Sequence, residues 1–468
     1  MRYPLMFRLA QKPHGPAIQD VPAAVEAELA KLSLGNKVKS GDTVAIACGS
    51  RAFANHAAII KAVVDHFTAL KAVPFLVPAM GSHGGGTPEG QREILHKLGI
   101  HEETIGAEIR SSMEVEAIGQ LPDGIPVVCD KHALQADHLV IVNRVRPHSV
   151  FHGEVQSGLL KMLTMGLGKL VGAKQYHLAA KNASFDDIAR GVYNVMLEKA
   201  NLLAGLMVVE NSHQTTARVQ GVLGEDFNSK EKIMLPHVRS LSPQLPFKFI
   251  DILLVDEIGP MFGCVGADSN VIGRKFNAHT AIEGEFPQVR NIVYRGIHPG
   301  SRGNATGVGH AEFVRSRLLR QVDTKATRLN ALALGMPTLA AAPIDFETDQ
   351  EILNAALSLI GLTSPDNARI VWIRNTSCIL EFECSEPFLE EVQHWKDLSV
   401  LSSLHPFDFD GLGRAMTLPH AVAAILSALG PGCLWPAAWR KLAAWRSQVE
   451  GTGESDFLTH PFEPSALS

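Results

Sequence analysis

The chain has 468 residues, more than one ordinary hydrophobic core usually holds, so two domains are expected. Apolar residues make up 46% and charged residues 19%, as in compact soluble proteins. The formal charge of −5 leaves no global excess of positive charge, which argues against nucleic acid as a partner.

Cysteine usage and the N-terminus bear on the cellular compartment. The six cysteines are scattered without a CxxC pair, which favours reduced thiols over a zinc ribbon or a disulfide framework. The N-terminal residues MRYPLMFRLAQKPHG lack the apolar core of a signal peptide, and no run of about 18 apolar residues offers a membrane span. We therefore expect a cytoplasmic protein with no membrane partner.

Strand and helix patterns alternate along the first half of the chain. An apolar run at 43–47 leads into the polar residues CGSR, and helical spacing follows from 55 to 70. Residues 71–80 repeat this design and run into the glycine loop GSHGGG, after which Thr87 and Pro88 begin a helix. The other elements predicted in this half lie at 125–129, 138–143, 157–167, 185–200 and 206–210. This alternation predicts an α/β fold.

A proline-containing segment separates the two halves. Residues 235–247 contain three prolines and no periodicity, which is typical of a linker. The elements predicted beyond it are strands at 249–255, 291–294, 368–373 and 377–382 and a long helix from about Ala311. We therefore expect three parts: an N-terminal α/β domain at 1–245, a C-terminal α/β domain at 246–430, and a helical tail with a disordered end at 431–468.

The stretch from Asn143 to His177 combines ligand-type side chains with several glycines. Small residues beside His148, Lys161 and His177 indicate that the backbone approaches a bound molecule. A predicted helix begins at Ser157, and its N-terminal turn suits an anion. We interpret this stretch as a cofactor site.

Each candidate also has a structural interpretation. His83 in the glycine loop is either a site residue or a structural polar residue, and His177 also matches an exposed histidine at a helix end. Lys161 lies on an apolar helix, where desolvation favours the reactive neutral amine, but a surface lysine fits the same pattern. Arg51 suits a carboxylate or phosphate clamp as well as an ordinary surface ion pair.

Taken together, the motifs resemble the nickel-dependent lactate racemase family, whose enzymes use a nickel-pincer nucleotide. The resemblance spans most of the chain through about residue 430. Its markers are Arg51 in CGSR, His83 in GSHGG, His148 after a proline, Lys161 in SGLLK, and His177 sixteen residues later. The resemblance implies two α/β domains with the active site in the cleft between them.

The resemblance also implies a role for each marker. The residues expected at the cofactor, the nickel complex of a pyridinium-3-thioamide-5-thiocarboxylate mononucleotide, are Lys161, Ser157, Gly158 and His177. Among them, Lys161 matches the lysine joined to a thio group of the cofactor, and His177 matches the histidine that binds nickel. The expected catalytic residues are His83, His148 and Arg51, as two acid/base histidines and an active-site arginine. An imidazole with soft sulfur donors suits nickel chemically.

The implied activity is that of a racemase or epimerase of a 2-hydroxy acid, working by proton-coupled hydride transfer to and from the cofactor. The implied partners are the small-molecule substrate and the cofactor-synthesis proteins, and a homo-oligomer stays open. The chain departs from lactate racemase proper in a longer loop before Lys161, with SGLLK in place of SGG. It also lacks the QxxK substrate-binding pair after the first strand of the second domain. These departures place it among the broader family of homologues.

Two other functions fit the same residues. A zinc or nickel hydrolase would use His83, His148 and His177 as ligands of a metal whose bound water attacks the substrate. A non-catalytic carrier of nickel or of a nucleotide would use the same side chains for binding alone. Metal analysis and an absorption spectrum discriminate among the three, since a thio-ligated nickel complex has visible bands that a zinc site lacks.

Overall fold

Strands and helices alternate along the chain in the computed structural model, which describes residues 2–12, 15–277, 279–280 and 282–415. The strands are β1 (Met6–Gln11), β2 (Thr43–Cys48), β3 (Val73–Pro78), β4 (Glu108–Ile109), β5 (Val115–Gln120), β6 (Pro126–Asp130), β7 (His138–Arg144), β8 (Leu202–Glu210), β9 (Thr216–Leu223), β10 (Phe249–Val255), β11 (Gln288–Tyr294), β12 (Phe313–Arg315), β13 (Ile344–Phe346), β14 (Ile370–Ile373), β15 (Glu381–Ser385) and β16 (Leu398–Val400).

The α-helices are α1 (Val21–Ala30), α2 (His56–Ala69), α3 (Pro88–Lys97), α4 (Glu102–Ile105), α5 (Lys131–Gln135), α6 (Leu159–Lys161), α7 (Lys169–Ala179), α8 (Phe185–Lys199), α9 (Phe227–Leu241), α10 (Ser269–Ile272), α11 (Ser316–Arg320), α12 (Thr324–Ala333), α13 (Asp349–Leu357) and α14 (Leu389–Gln393). In the part of the chain that the structure describes, no helix has the length and apolar character needed to cross a membrane. The predicted tail at 431–468 lies outside the described residues.

The first large sheet has six strands in the order β4-β3-β2-β7-β8-β9, all parallel except β9. Alternate residues of β2 face two different cores. Ala45 and Ala47 pack with residues of α6 to α9, whereas Val44 and Ile46 pack with residues of α1 and α2. Helices therefore cover both faces, as a parallel sheet requires. Because β3, β2 and β7 are parallel neighbours, the loops that follow them meet at one edge of the sheet.

The second large sheet has eight strands in the order β13-β12-β11-β10-β14-β15-β1-β16. The strands from β13 to β14 in this order are parallel, and β15, β1 and β16 are antiparallel to their neighbours. The N-terminal strand β1 thus joins the sheet built from the second half of the chain. The chain up to Arg414 forms one compact unit. The α/β class is confirmed, while the division at 245 and 430 stays a prediction.

Two predicted elements are wrong in detail. The segment predicted as a linker from residue 235 begins inside α9, which contains Pro236 and continues to Leu241. A proline removes only one backbone donor, and α9 still buries Met234 and Val238 against the core. The long helix predicted from about Ala311 is instead strand β12 followed by α11 and α12. Strand β12 is buried between β11 and β13, so sheet pairing overrides the helical pattern.

Candidate active site

A cavity of about 820 Å³ lies where β2, β3, β7 and β8 end, and its volume is typical of a small-molecule site. The second sheet contributes to its lining through the segments that follow β10 and β14, including Cys264, Asp268 and Thr376. Of two glycine loops in the second half of the chain, the one at 266–274 lines the cavity, and the one at 300–309 does not. The candidate site is therefore built mainly from loops after parallel strands.

Six of the seven predicted site residues line this cavity: Arg51, His83, His148, Ser157, Lys161 and His177. The seventh, Gly158, does not line the cavity. Its carbonyl accepts a hydrogen bond of 2.8 Å from Nδ2 of Asn143, and a Cβ atom here would come 2.5 Å from the carboxyl group of Glu231. Close packing therefore requires the glycine, and the structure does not place it on the cavity surface.

Arg51 follows the end of β2 and extends into the cavity. Its guanidinium donates a hydrogen bond of 3.2 Å to the carbonyl of Pro260, which belongs to the loop after β10. No carboxylate in the described ranges forms an ion pair with Arg51. Arg51 therefore has no acidic partner of the kind that a surface ion pair needs, within the described ranges. Its guanidinium is available to an anionic ligand.

His83 lies in a glycine loop between β3 and α3. Gly84, Gly85 and Gly86 all have φ between 66° and 68°, a region that glycine reaches without strain. At Gly84 a Cβ atom would also lie 2.5 Å from the carbonyl carbon of Gly90. Thr87 then caps α3, accepting a hydrogen bond of 3.1 Å from the Gly90 amide, as predicted. The loop conformation thus depends on its glycines and cap.

A buried polar chain fixes the backbone of this loop. Gln91 donates from Nε2 to the carbonyls of Gly81 at 2.9 Å and His83 at 3.3 Å. Its Oε1 accepts a hydrogen bond of 3.2 Å from Lys169, which also forms an ion pair with Asp130 at 3.2 Å. The Lys169 and Asp130 side chains are both fully buried, and breaking such a pair is usually costly. Gln91, Lys169 and Asp130 thus help to position the site, and none of the three was predicted from the sequence.

His83 lines the cavity, and its side chain is exposed to solvent there. Desolvation lowers its pKa, and the nearby cations Arg51 and Lys161 lower it further. Ring atom Nδ1 forms a hydrogen bond with the hydroxyl of Ser50, which can act as donor or acceptor. His83 is therefore a neutral histidine at physiological pH, the form needed in a base.

His148 is held more rigidly than His83. Its backbone amide donates a hydrogen bond of 3.0 Å to Oε1 of Gln156. Its Nδ1 atom accepts two hydrogen bonds of 3.1 Å, from the backbone amides of Val150 and Phe151. Burial lowers the pKa of His148 well below its ordinary value, and Lys161 and other cations around the cavity act in the same direction. The ring is thus neutral and fixed in orientation.

Phe151 links the predicted site residues, although the sequence analysis did not single it out. Its ring stacks on His148 with 4.4 Å between centroids and on His177 with 5.9 Å. Lys161 Nζ lies 5.6 Å from the Phe151 centroid. The Phe151 ring also stacks on Phe185, with 3.9 Å between the two centroids. One buried aromatic ring thereby gathers His148, Lys161 and His177 around it.

Lys161 ends α6 and is followed by a wider π-helical turn, Met162–Gly166, a feature frequent at functional sites. Burial lowers the pKa of Lys161 to about 8; Cys264 opposes this shift, and Arg51 adds to it. Within α6, the Leu160 amide donates a hydrogen bond of 3.1 Å to the Glu231 carboxyl group. Lys161 therefore lines the cavity from a half-buried position, and its pKa is lower than that of an exposed lysine; its reactivity stays a prediction.

His177 lies in the last turn of α7 and is half-buried on the cavity wall. Burial, followed by the charges of Lys161 and Lys181, lowers its pKa to about 4. The neutral imidazole is the form that binds metals. Within the described ranges, no group of three or more His, Cys, Asp or Glu residues is arranged to hold a metal ion. A metal at His177 would need further donors from a bound molecule.

The loop before Lys161 is docked onto the second half of the chain. Arg146 forms an ion pair of 2.6 Å with Asp268, and Lys275 donates a hydrogen bond of 2.9 Å to Gln156. The Gln156 side chain thereby connects Lys275 to the backbone of His148. These contacts attach the loop between His148 and Lys161 to the segment that follows β10.

We expect the reactivity of Lys161 to change with pH around 8. Because the folded pKa is lowered from 10.5 to about 8, the neutral amine is depleted below pH 8 and dominates above it. Labelling of the apoprotein with a small amine-reactive reagent, mapped by mass spectrometry across pH, should show a half-maximal rate near this value. Lys174, exposed on α7, provides the internal reference. Parallel pH profiles for the two lysines would contradict the expected shift.

Comparison with known proteins shows which domain family the N-terminal part of the chain resembles. Residues 8–185 match the model of the lactate racemase N-terminal domain, and all seven predicted site residues lie in that span. No curated protein matches the chain. Similar solved structures include the lactate racemase apoprotein from Thermoanaerobacterium thermosaccharolyticum, with 14% identity, a TM-score of 0.47, and coverage of 79% of this chain and 99% of that chain. A protein from Thermotoga maritima has 13% identity, a TM-score of 0.45, and coverage of 69% and 83%, respectively. The N-terminal part of this chain, residues 8–185, is thus similar to the lactate racemase N-terminal domain.

Proposed function

We propose that this protein is a racemase or epimerase of a 2-hydroxy acid that uses a nickel-pincer nucleotide. One observation carries the proposal: a single cavity is lined by two neutral histidines, a lysine with a lowered pKa, a third neutral histidine and an arginine without an acidic partner among the described residues. These are the residue types that the resemblance assigns to acid/base chemistry, cofactor attachment, nickel binding and substrate binding.

The residues around Phe151 fit such a nucleotide. Lys161 offers an amine that is partly neutral near pH 8 and able to form a covalent link, and Ser157 lines the same cavity. His177 offers one neutral imidazole with no second protein ligand grouped around it in the described ranges, which suits a metal whose other donors are sulfur and carbon atoms of the cofactor. When bound, the cofactor would accept the hydrogen of substrate C2 as a hydride and return it.

The chain's own residues would carry the remaining chemistry. The planar guanidinium of Arg51 would bind the substrate carboxylate through two parallel hydrogen bonds. The free ring nitrogen of His83 would take the proton of the substrate hydroxyl, so the O–H bond breaks and an N–H bond forms. Loss of this proton and of the C2 hydride converts the 2-hydroxy acid into a 2-keto acid. Return of the hydride to the opposite face of the carbonyl, with His148 as the acid on that side, would invert the carbon centre.

The charges of the cavity support an anionic substrate. Neither Arg51 nor Lys161 forms an ion pair with the part of the chain that the structure describes. Lys275 contributes a further cation, bonded to the neutral amide oxygens of Gln156 and Asn270 at 2.9 and 3.0 Å. An excess of positive groups in a partly enclosed site attracts small carboxylates and raises their local concentration.

The test is to produce the protein in a host that makes the cofactor and to supply single enantiomers of 2-hydroxy acids. Chiral chromatography should show the opposite enantiomer, and substrate deuterated at C2 should keep its label, since a hydride returns without exchange with water. Intact mass and nickel content should show one cofactor per chain. In the matched variant Lys161→Ala, the cofactor should leave the denatured protein.

Other results would select other functions. Washout of the C2 deuterium during inversion would indicate proton abstraction and overturn the hydride mechanism. Zinc without a nucleotide, together with hydrolysis of an ester or amide, would favour the metal-dependent hydrolase. A bound nickel nucleotide in a protein that turns over none of the hydroxy acids would favour the carrier.

A further inference from the structure

Inversion at the proposed site exchanges the positions of the reacting oxygen and of the substrate side chain on C2. If Arg51 holds the carboxylate, the 2-keto acid makes a half turn about its C1–C2 bond before the hydride returns to the opposite face. This turn moves the oxygen from one histidine of the cavity to the other, and the side chain moves the opposite way. The cavity must therefore accommodate the substrate side chain beside His148 for one enantiomer and beside His83 for the other.

Met261 and Phe262, which we call the His83-side surface, are apolar residues that line the cavity. The guanidinium of Arg51 donates a hydrogen bond of 3.2 Å to the carbonyl of Pro260, the residue before Met261. Arg51 also directly follows the serine that is hydrogen-bonded to the His83 ring. These contacts bring the His83-side surface to the same end of the cavity as that histidine.

Phe276 lines the cavity on the side of His148. Its chain neighbour Lys275 donates a hydrogen bond of 2.9 Å to Oε1 of Gln156, and the His148 amide donates one of 3.0 Å to the same oxygen. The Phe276 ring also stacks on His152, with 4.9 Å between the two centroids. Two separate contacts therefore connect Phe276 to the loop that carries His148.

Phe276 and Phe286 together form the His148-side surface. The carboxyl group of Glu285 accepts a hydrogen bond of 2.5 Å from the Phe276 amide, which brings Phe286 to the same part of the cavity. Both surfaces leave apolar area uncovered, since Met261 is 43% exposed, Phe276 55% and Phe286 41%. Single exposed apolar residues are ordinary on a protein surface, but these residues line one cavity. An apolar ligand that covers them removes their surface from water.

A charged side chain on the substrate fits these two sides less well. Lys275 is a cation on the side of His148, and its ammonium group already donates to two amide oxygens at 2.9 and 3.0 Å. The cations that act on the His83 ring are Arg51 and Lys161, which the proposed function assigns to the substrate carboxylate and to the cofactor. A second carboxylate would thus find a further cation on one side only, whereas apolar surfaces lie on both sides.

We propose that the substrate is a 2-hydroxy acid with an aromatic side chain. This side chain packs on the His148-side surface when the oxygen lies at His83, and on the His83-side surface when the oxygen lies at His148. Aromatic rings pack favourably on phenylalanine in offset or edge-to-face contacts and on the sulfur of methionine. The methyl group of lactate has too little apolar area to cover either surface. This substrate class rests on the proposed racemase function.

The substrate class is tested with the holoenzyme, produced in a host that makes the cofactor. The substrates are lactate, 3-phenyllactate and malate, whose side chain ends in a carboxylate, and chiral chromatography measures kcat/KM for each acid. We expect kcat/KM for 3-phenyllactate to exceed that for lactate by about 10- to 150-fold, the effect of burying one large apolar group. Equal or better turnover of lactate would overturn the aromatic class. Fastest turnover of malate would also overturn it and would indicate that Lys275 binds a second carboxylate.

Two variants test the surfaces separately, in single turnovers that measure formation of the 2-keto acid from each pure enantiomer. With 3-phenyllactate, Phe276→Ala should slow one enantiomer by about tenfold or more and Phe262→Ala the other, because each surface holds the side chain of one enantiomer. The losses with lactate should be smaller. Leu332→Ala is the matched control, since Leu332 is 65% exposed and does not line the cavity, and it should react like wild type. Equal slowing of both enantiomers by each variant would contradict the two surfaces.

The outcomes separate this inference from the proposed function. An active racemase that prefers lactate or malate would overturn the aromatic substrate and leave the racemase intact. A wild-type protein that carries the cofactor but inverts no 2-hydroxy acid would overturn the proposed function, and the substrate class would fall with it. Loss of the cofactor from Phe276→Ala or Phe262→Ala, measured as nickel content, would assign these rings to the cofactor and overturn the inference. A preference for 3-phenyllactate, with opposite enantiomers slowed in the two variants, supports both.

Discussion

Replacement of His83 by alanine should lower kcat/KM for both enantiomers of the substrate by about 10²- to 10⁴-fold, the usual loss when a general base is removed. The reason is that His83 lines the cavity and has a second ring nitrogen available to accept a proton, while its Nδ1 is held by Ser50. Steady-state kinetics with each pure enantiomer measures the effect. Because a full turnover would use both His83 and His148, the losses for the two enantiomers should be similar.

Controls for this prediction are available in the same chain. His101 does not line the cavity, so His101→Ala should leave the kinetics unchanged. Ser50→Ala removes only the partner of Nδ1 and should cost less than His83→Ala. Added imidazole should restore part of the activity of His83→Ala by replacing the missing base. In single turnovers, His83→Ala and His148→Ala should show opposite enantiomer preferences, and equal residual half-reactions with both enantiomers would contradict two bases on opposite faces.

The pH profile provides a further check on His83. Its lowered pKa means that the neutral base persists well below pH 6.5 and is lost only when the pH falls through the folded value. The acid limb of kcat/KM should therefore lie well below pH 6.5 in the wild type. An acid limb centred near pH 6.5 would indicate a base that is open to water.

The repeated strand and loop pattern was enough to predict where the site residues meet. The predictions at 43–47, 71–80 and 138–143 correspond to β2, β3 and β7. A parallel sheet places the polar residues after each of these strands at one edge, so Arg51, His83 and His148 were predictable as neighbours from local sequence. Short-range patterns succeed here because each strand is followed directly by its functional loop.

The residues that position the site were not predictable in this way. Gln91 and Lys169 are far apart in sequence, yet they meet in the buried chain that supports the His83 loop. Phe151 follows His148 by three residues, but its stacking on two histidines depends on how α7 and α8 pack against the loop. Contacts between residues this far apart in sequence arise from tertiary packing and leave no local periodicity.

The strand β1 illustrates the same limit at the level of the fold. Its residues, Met6–Gln11, pair with β15 and β16 from the far end of the described chain. A short apolar segment beside the N-terminus has no local signal that specifies such a partner, and register is set only when the distant strands are present. The proline rule failed at Pro236 for a related reason, since the buried face of α9 outweighs the lost backbone donor.

Arg51→Lys should lower kcat/KM by about 10- to 150-fold, although the substitution keeps the charge. The guanidinium can donate two parallel hydrogen bonds to a carboxylate, whereas an ammonium group binds it as a point charge. Loss of one charge-assisted hydrogen bond costs about 1.5–3 kcal/mol, which corresponds to this range of rates. The bond of Arg51 to the Pro260 carbonyl at 3.2 Å helps to orient the fork, and lysine cannot reproduce both contacts.

A substrate analogue distinguishes a carboxylate clamp from a general role of Arg51 in the cavity. A 2-hydroxy amide keeps the reacting carbon and hydroxyl but lacks the anionic group that the fork would hold. If Arg51 binds the carboxylate, wild type and Arg51→Lys should turn over the amide at similar low rates, and the penalty should appear only with the acid. If Arg51→Lys instead loses the same factor in kcat/KM with the acid and with the amide, the lost contact does not involve the carboxylate. Arg51 would then serve the cofactor or the structure of the cavity. Unchanged kinetics with the acid would remove Arg51 from the substrate site altogether.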